Sequence, residues 1–359
     1  MLYRGMDVTM DNMALSSQPT PLRLLVLGYG NVVRAFLPLL ASRSAWLGRE
    51  LGMGPLLIGL GSRSNGLYIH AEGIQLNQAS EVMPHLKREG VRVESFEQFI
   101  EMGKAAGADV FIELTSLDPH HGEPALTYIR KALKHDMDVI TANKGPVAHA
   151  LRELRQLARE HHVQFRFEST VIDGVPVFNL AEYCLPAVGI RSFRALLNST
   201  TNLVLRLIEQ GYTLDEAVQQ AQHIGVAEAD PSFDLDGWDA VMKTTILANV
   251  LLDAQLTPQM VWREGMRNLT EEAIRLAARS GTPYRLVSET RPELGKLIAA
   301  VSPQQIAAGD ILYRGKDFSG ILSLETEALG TITIVEHEPA TLQTAYGVLS
   351  DLIAIVRNR

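Results

Sequence analysis

The chain is short of cysteine, of aromatic residues and of positive charge, and each shortage excludes something. One cysteine, Cys184, among 359 residues cannot form an internal disulfide, which fits a reducing cytoplasm. With 33 Lys and Arg against 41 Asp and Glu the formal charge is −8, and no basic run offsets it. A nucleic-acid backbone is therefore not the expected partner. No apolar run approaches the roughly 18 residues that a membrane span requires. Residues 1–20 hold no uninterrupted apolar core, so a secretion signal is not expected; they read as a flexible leader or an over-long start. The pairs His120–His121 and His161–His162 are adjacent, which splays the rings apart, so they read as solvated rather than metal-binding.

At 46% apolar and 21% charged, the remainder is ordinary globular sequence, long enough for two domains. Leu22 to Leu27 is a short apolar strand running into Gly28-Tyr29-Gly30-Asn31-Val32-Val33, and a helical pattern follows from Arg34. Strand, glycine turn and helix open a dinucleotide-binding fold, in which the helix N-terminus receives the pyrophosphate. The third glycine of that fingerprint is replaced by Val33, which affects helix packing more than the phosphate cradle. A second strand, Leu56 to Leu60, ends in Gly61-Ser62-Arg63-Ser64. The acid that would hold a ribose is missing there, and an arginine can receive a 2′-phosphate, so NADP is favoured with NAD possible. A plain loop arginine is the competing reading. Strands at Asp109 to Leu114, closed by Thr115-Ser116, and at Asp138 to Thr141 follow, with a helix over Glu123 to Lys134 between them. Lys144, in Asn143-Lys144-Gly145-Pro146, then stands at the carboxyl end of a strand, where open α/β sheets bind ligands; taken alone, the segment is only a turn.

The segment from Glu228 to Lys243 is the most specific. Five carboxylates (Glu228, Asp230, Asp234, Asp236, Asp239) fall within twelve residues. A calcium loop fails, because with Ser232 at position one the twelfth position, which needs a glutamate, is Lys243. From Trp238 to Leu252 the pattern is helical and apolar nearly all round, with Asp239 and Lys243 its only charges, one turn apart on one face. A surface ion pair is the bland reading. A pair kept inside an oily helix costs desolvation and is a site candidate.

Four motifs in order, GYGNV at Gly28, TANKGP at Thr141, LNSTTN at Leu197 and GVAEADPSFDLDGWDAVMK at Gly225, resemble the homoserine dehydrogenase family over about residues 22–359. The resemblance implies an α/β protein: a Rossmann-type dinucleotide-binding domain over 21–150, joined by the C-terminal helix 340–359, and an α+β catalytic and dimerisation domain over 151–339. It implies reversible NAD(P)-dependent interconversion of L-aspartate 4-semialdehyde and L-homoserine, in a cytoplasmic homodimer. Lys243, Asp239 and Lys144 would be catalytic, and Glu228 and Asp234 would bind the substrate's amino group. Gly28, Tyr29, Gly30, Asn31, Val32, Arg63, Thr115, Ser116, Lys144 and Gly225 would meet the cofactor. Glu168, Val171, Asp173 and Val175 would hold a sodium ion, mostly through carbonyls.

The chain departs from the family before the last helix, where Glu336-His337-Glu338-Pro339 replaces a glycine-rich turn that contacts the cofactor, and Ser199 replaces a glycine. It also ends too early for an amino-acid-binding regulatory module, so threonine feedback through one is not expected. Two rivals stand beside this reading. One is a dehydrogenase of another amino-acid semialdehyde, with the phosphorylating type disfavoured because Cys184 has no histidine neighbour. The other is a nucleotide-sensing relative that has lost turnover.

Overall fold

The computed structural model describes residues 19–76, 81–314, 320–337 and 339–359. The leader expected over residues 1–20, except Pro19 and Thr20, and Glu338 of the altered turn lie outside the described residues. The first sheet has the order β4-β3-β2-β1-β5-β6-β7. Its parallel part comprises β1 (Thr20–Leu27), β2 (Met53–Ser62), β5 (Val110–Glu113), β6 (Asp138–Thr141) and β7 (Phe165–Arg166). These strands are apolar because helices cover both faces, which leaves no solvated side to alternate towards. The covering helices are α1 (Asn31–Leu51), α2 (Val82–Glu89), α3 (Phe96–Ala105), α4 (Ala125–Lys134) and α5 (Lys144–Glu160). From β1 the chain passes through α1 to β2 on one side, whereas β5 lies on the other, so a switch point opens at the carboxyl ends of β1 and β5.

Three features of this layer differ from the sequence reading. β3 (Gly66–Gln75) and β4 (Val91–Val93) extend the sheet antiparallel beyond β2, where no strands were expected. They are edge strands, half-exposed and without a clean alternation. The boundary expected at residue 150 falls inside α5, and β7 carries the first sheet on to Arg166. The helix expected from residue 147 begins at Lys144 because the Asn143 side chain caps it, accepting from Gly145 N at 3.1 Å.

The second layer follows the single turn α6 (Val177–Asn179). Its sheet has the order β13-β12-β8-β10-β11-β9. The strands are β8 (Ile190–Leu196), β9 (Trp262–Arg263), β10 (Tyr284–Glu293), β11 (Lys296–Gln305), β12 (Gly320–Thr326) and β13 (Gly330–Glu336). All pairings are antiparallel except that of β11 with β9. Helices α7 (Ser199–Glu209), α8 (Leu214–His223), α9 (Ser232–Leu235), α10 (Trp238–Leu251) and α11 (Glu271–Arg279) pack around it. The last helix, α12 (Thr341–Arg357), returns to the first layer, where Ala345, Val348, Leu349 and Leu352 join the core of α1 and β1.

Helix α10 is sandwiched between β10 and β11 on one side and α5 on the other. That placement explains why it is apolar all round: both flanks are core, and its nine buried positions run from Asp239 to Ala248. No helix among the described residues is long and apolar enough to cross a membrane.

Candidate active site

The nucleotide side of the site is a cleft of about 780 Å³ at the switch point. Gly28, Tyr29, Gly30, Arg63, Thr115 and Ser116, six of the ten expected cofactor residues, line it. Gly28 has φ 113°, and a Cβ there would sit 2.2 Å from Leu114 O, so only glycine lets β1 turn so close to β5. Gly30 then precedes α1 without a side-chain cap, which leaves the first amides of that helix open to an anion. The cleft thus fits a dinucleotide phosphate. Asn31 and Val32 occupy the first turn of α1 but are not in the lining. Gly225 lies exposed in the loop after α8, also outside it. The lining includes groups that the sequence reading missed: Arg92 and Glu94, and the ring pair Phe96–Tyr128, with centroids 4.0 Å apart. Arg92 comes from β4, a strand that the periodicity did not reveal, and Glu94 follows it; Phe96 opens α3 and Tyr128 lies on α4.

The turn at Thr115 is held from below. Glu113, fully buried, accepts from Thr115 N at 2.7 Å and Thr141 Oγ1 at 2.7 Å, and burial pushes its carboxyl up despite these bonds. Asn143 donates to Thr115 O (3.4 Å) and Ser116 O (3.3 Å) while capping α5. Lys144, one residue later, therefore keeps a fixed relation to the cleft.

Lys144 leaves the cleft lining and joins α10. Its Nζ is 3.2 Å from Asp239 Oδ1, and Lys243 Nζ is 3.2 Å from Asp239 Oδ2. One buried carboxylate bridges two ammonium groups. Burial alone would raise Asp239, but Lys243 and then Lys144 outweigh it and hold the carboxyl far below its usual range. Burial alone would lower Lys243; Asp239 reverses that and keeps the ammonium charged. Lys243 also donates to Leu197 O at 2.7 Å.

Asn198, at the head of the NSTTN loop, organises the rest. Its Nδ2 donates to Asp239 Oδ2 (2.9 Å) and Asp234 Oδ1 (2.7 Å), and its Oδ1 caps α7 through Thr201 N at 2.8 Å. The capping pattern, asparagine before a helical run, was the signal that could have singled it out. Asp234 is pushed up by burial and by Asp239 beside it. Glu228 is exposed and has no ion pair among the described residues; its loop is tied to the cluster through Thr200 Oγ1, which donates to Val226 O at 3.1 Å, and through Asp234 N, which donates to Pro231 O at 3.1 Å.

The expected cation loop is held by the protein's own groups. The Glu168 carboxylate accepts from Phe178 N and Asn179 N at 2.7 and 2.8 Å, and burial raises it to about 7. The Val175 carbonyl accepts from Val177 N, and the Asp173 carboxylate accepts from Thr344 Oγ1. Val171 is buried in the core. Among the described residues no three His, Cys, Asp or Glu side chains could hold a metal. Main-chain oxygens of this loop, with the second oxygen of Asp173, remain for an ion.

The family model described as homoserine dehydrogenase matches residues 176–353, and that of its NAD-binding domain matches 28–168. The chain is 36% identical to an NAD(+)-dependent homoserine dehydrogenase of Pseudomonas canavaninivorans, over 94% of this chain and 96% of that protein. It is 33% identical to a homoserine dehydrogenase of Sulfurisphaera tokodaii, over 94% and 99%. The solved homoserine dehydrogenase of Thermoplasma acidophilum superposes with a TM-score of 0.79 at 23% identity, over 94% of this chain and all of that one, a likeness of fold.

Proposed function

The chain belongs to the homoserine dehydrogenase family, and from that premise we propose that it interconverts L-aspartate 4-semialdehyde and L-homoserine, with Lys243 as the proton-donating cation of the reaction. The observation that carries the reading is the Lys144–Asp239–Lys243 bridge beside a dinucleotide cleft. A nicotinamide dinucleotide bound in the cleft supplies or takes up the hydride. Lys243, kept as ammonium by Asp239, polarises the aldehyde oxygen and neutralises the charge that develops there. In the reverse direction the neutral amine, its own proton first released to solvent, receives the hydroxyl proton. Lys144 shares Asp239 and is the second group able to move a proton. Asp234, next to Asn198, and Glu228, on the loop tied to Thr200, pair with the substrate's α-ammonium.

NADP is the cofactor we favour, because Arg63 follows the end of β2, where an acid would otherwise meet the ribose, and Arg92, beside Glu94, adds a second cation to the lining. The relative named as NAD(+)-dependent favours the second reading, NAD. A sodium ion would rest on main-chain carbonyls of the loop 168–175, and a rise in melting temperature with sodium but not lithium tests it. The homodimer would form through the second layer, and sedimentation tests that.

Absorbance at 340 nm with homoserine and either oxidised cofactor tests the reaction itself. Lys243→Ala should lower kcat by at least about 10²-fold, the usual loss with a general acid, while cofactor binding persists. A loss of only severalfold removes Lys243 from this role.

A further inference from the structure

Glu336 ends β13 with only 7% of its surface exposed, and its Oε1 is buried without a hydrogen-bond partner. A buried, unsatisfied carboxyl oxygen is costly, so the sequence retains it against a penalty. The neighbouring strand makes room for it. Gly320 pairs with Glu336 across the β12–β13 ladder, and a Cβ at Gly320 would come within 3.2 Å of Glu336 Oε2. The carboxyl faces a small pocket of about 40 Å³ that Lys243, Asp173, Ser199, Leu197 and Pro339 also line. That space holds about one water molecule. Of the charged groups around it, Asp173 repels Glu336 and Lys243 attracts it.

Lys243 has three N–H donors. One goes to Leu197 O and another faces Asp239, which leaves one for the cavity. We propose that Glu336 is a positioning residue for Lys243: through the water that the cavity admits it draws the third N–H of the ammonium into the direction that the reacting oxygen then takes over. This rests on the role given to Lys243 above. It also gives a purpose to the departure at this turn: where the family's glycine-rich turn contacts the cofactor, this chain supplies a carboxyl to the catalytic lysine.

Glu336→Ala and Glu336→Gln test it, with circular dichroism checking the fold. Should the alanine variant unfold, Glu336→Gly takes its place. The expected result is a drop in kcat of about tenfold for Ala, with the KM values for homoserine and cofactor within about twofold, the pattern of a group that acts only on the transition state. Gln, of the same shape and still an acceptor, should recover most of the loss. A second readout needs no turnover: the 15Nζ resonance of Lys243, assigned by its disappearance in Lys243→Ala, should move in the Ala variant. Unchanged kcat in a folded Ala variant overturns the proposal, as does a raised homoserine KM at unchanged kcat, a Gln variant as slow as Ala, or an unmoved resonance. A wild-type protein inert towards homoserine would sink the proposed reaction instead, and Glu336 would then be judged on the resonance alone.

Discussion

In the nucleotide cleft the groups that meet the ligand space first are main chain and small side chains, Gly28, Gly30, Thr115 and Ser116, on the open ends of parallel strands. Around Lys243 they are long charged side chains enclosed by α5, α10 and the NSTTN loop, each with a named partner. The cleft is defined by where the backbone goes, so many sequences can form it. The cluster is defined by which charges are buried together, and few sequences can. Substitutions in the cleft should therefore act through shape, and substitutions in the cluster through charge.

The largest effect is expected from Asp239→Asn. Removing one partner of a buried ion pair costs about 3–5 kcal/mol, and here two ammonium groups, with side chains 24% and 18% exposed, would be left facing each other. Stability measured by urea denaturation should fall by that order, and kcat by about 10²-fold. If stability and turnover both survive, the bridge is ornamental and the contrast with the cleft collapses.

Within the cleft, shape should decide. Gly28→Ala forces a side chain against Leu114 O at a φ of 113°, and backbone strain of that kind costs about 1–3 kcal/mol before the clash is counted. Gly30→Ala, two residues on, meets nothing within 4 Å and has an ordinary negative φ, so about 0.5 kcal/mol or less is expected. Urea midpoints of the two variants side by side are the measurement. Equal losses would mean that the turn is not held by the approach of β1 to β5.

The same contrast explains what the sequence disclosed. Asp239 and Lys243 stood out because nothing else on α10 is charged, a pattern that survives without knowing the fold. β1 and β6 were legible because buried parallel strands are short, largely apolar runs, whereas α1 begins at Asn31, three residues before the helical pattern read from Arg34. β3 and β4 were not, since half-exposed edge strands carry no period, and with them went Arg92, Glu94 and Phe96. Glu168 and Glu336 also escaped as buried carboxyls: their burial comes from contacts with α12 and β12, more than a hundred residues away for Glu168 and across a hairpin for Glu336. Glu228 shows the limit from the other side, since its motif was plain in the sequence but the fold leaves it in solvent.

The prediction with no expected effect on stability concerns the choice between cofactors. Arg63 is exposed at the rim of the cleft, and its guanidinium has no hydrogen bond or ion pair among the described residues. Nothing in the fold depends on it, so Arg63→Ser should leave stability unchanged. A charge-assisted hydrogen bond to a 2′-phosphate contributes about 1.5–3 kcal/mol, which is at least about tenfold in affinity. The KM for NADP+ should therefore rise about tenfold or more while that for NAD+ stays within about twofold. An equal rise for both cofactors would mean that Arg63 touches a part they share. No rise for either would hand the choice to Arg92 and Glu94, and the cleft would then read its ligand from the edge strands rather than from the end of β2.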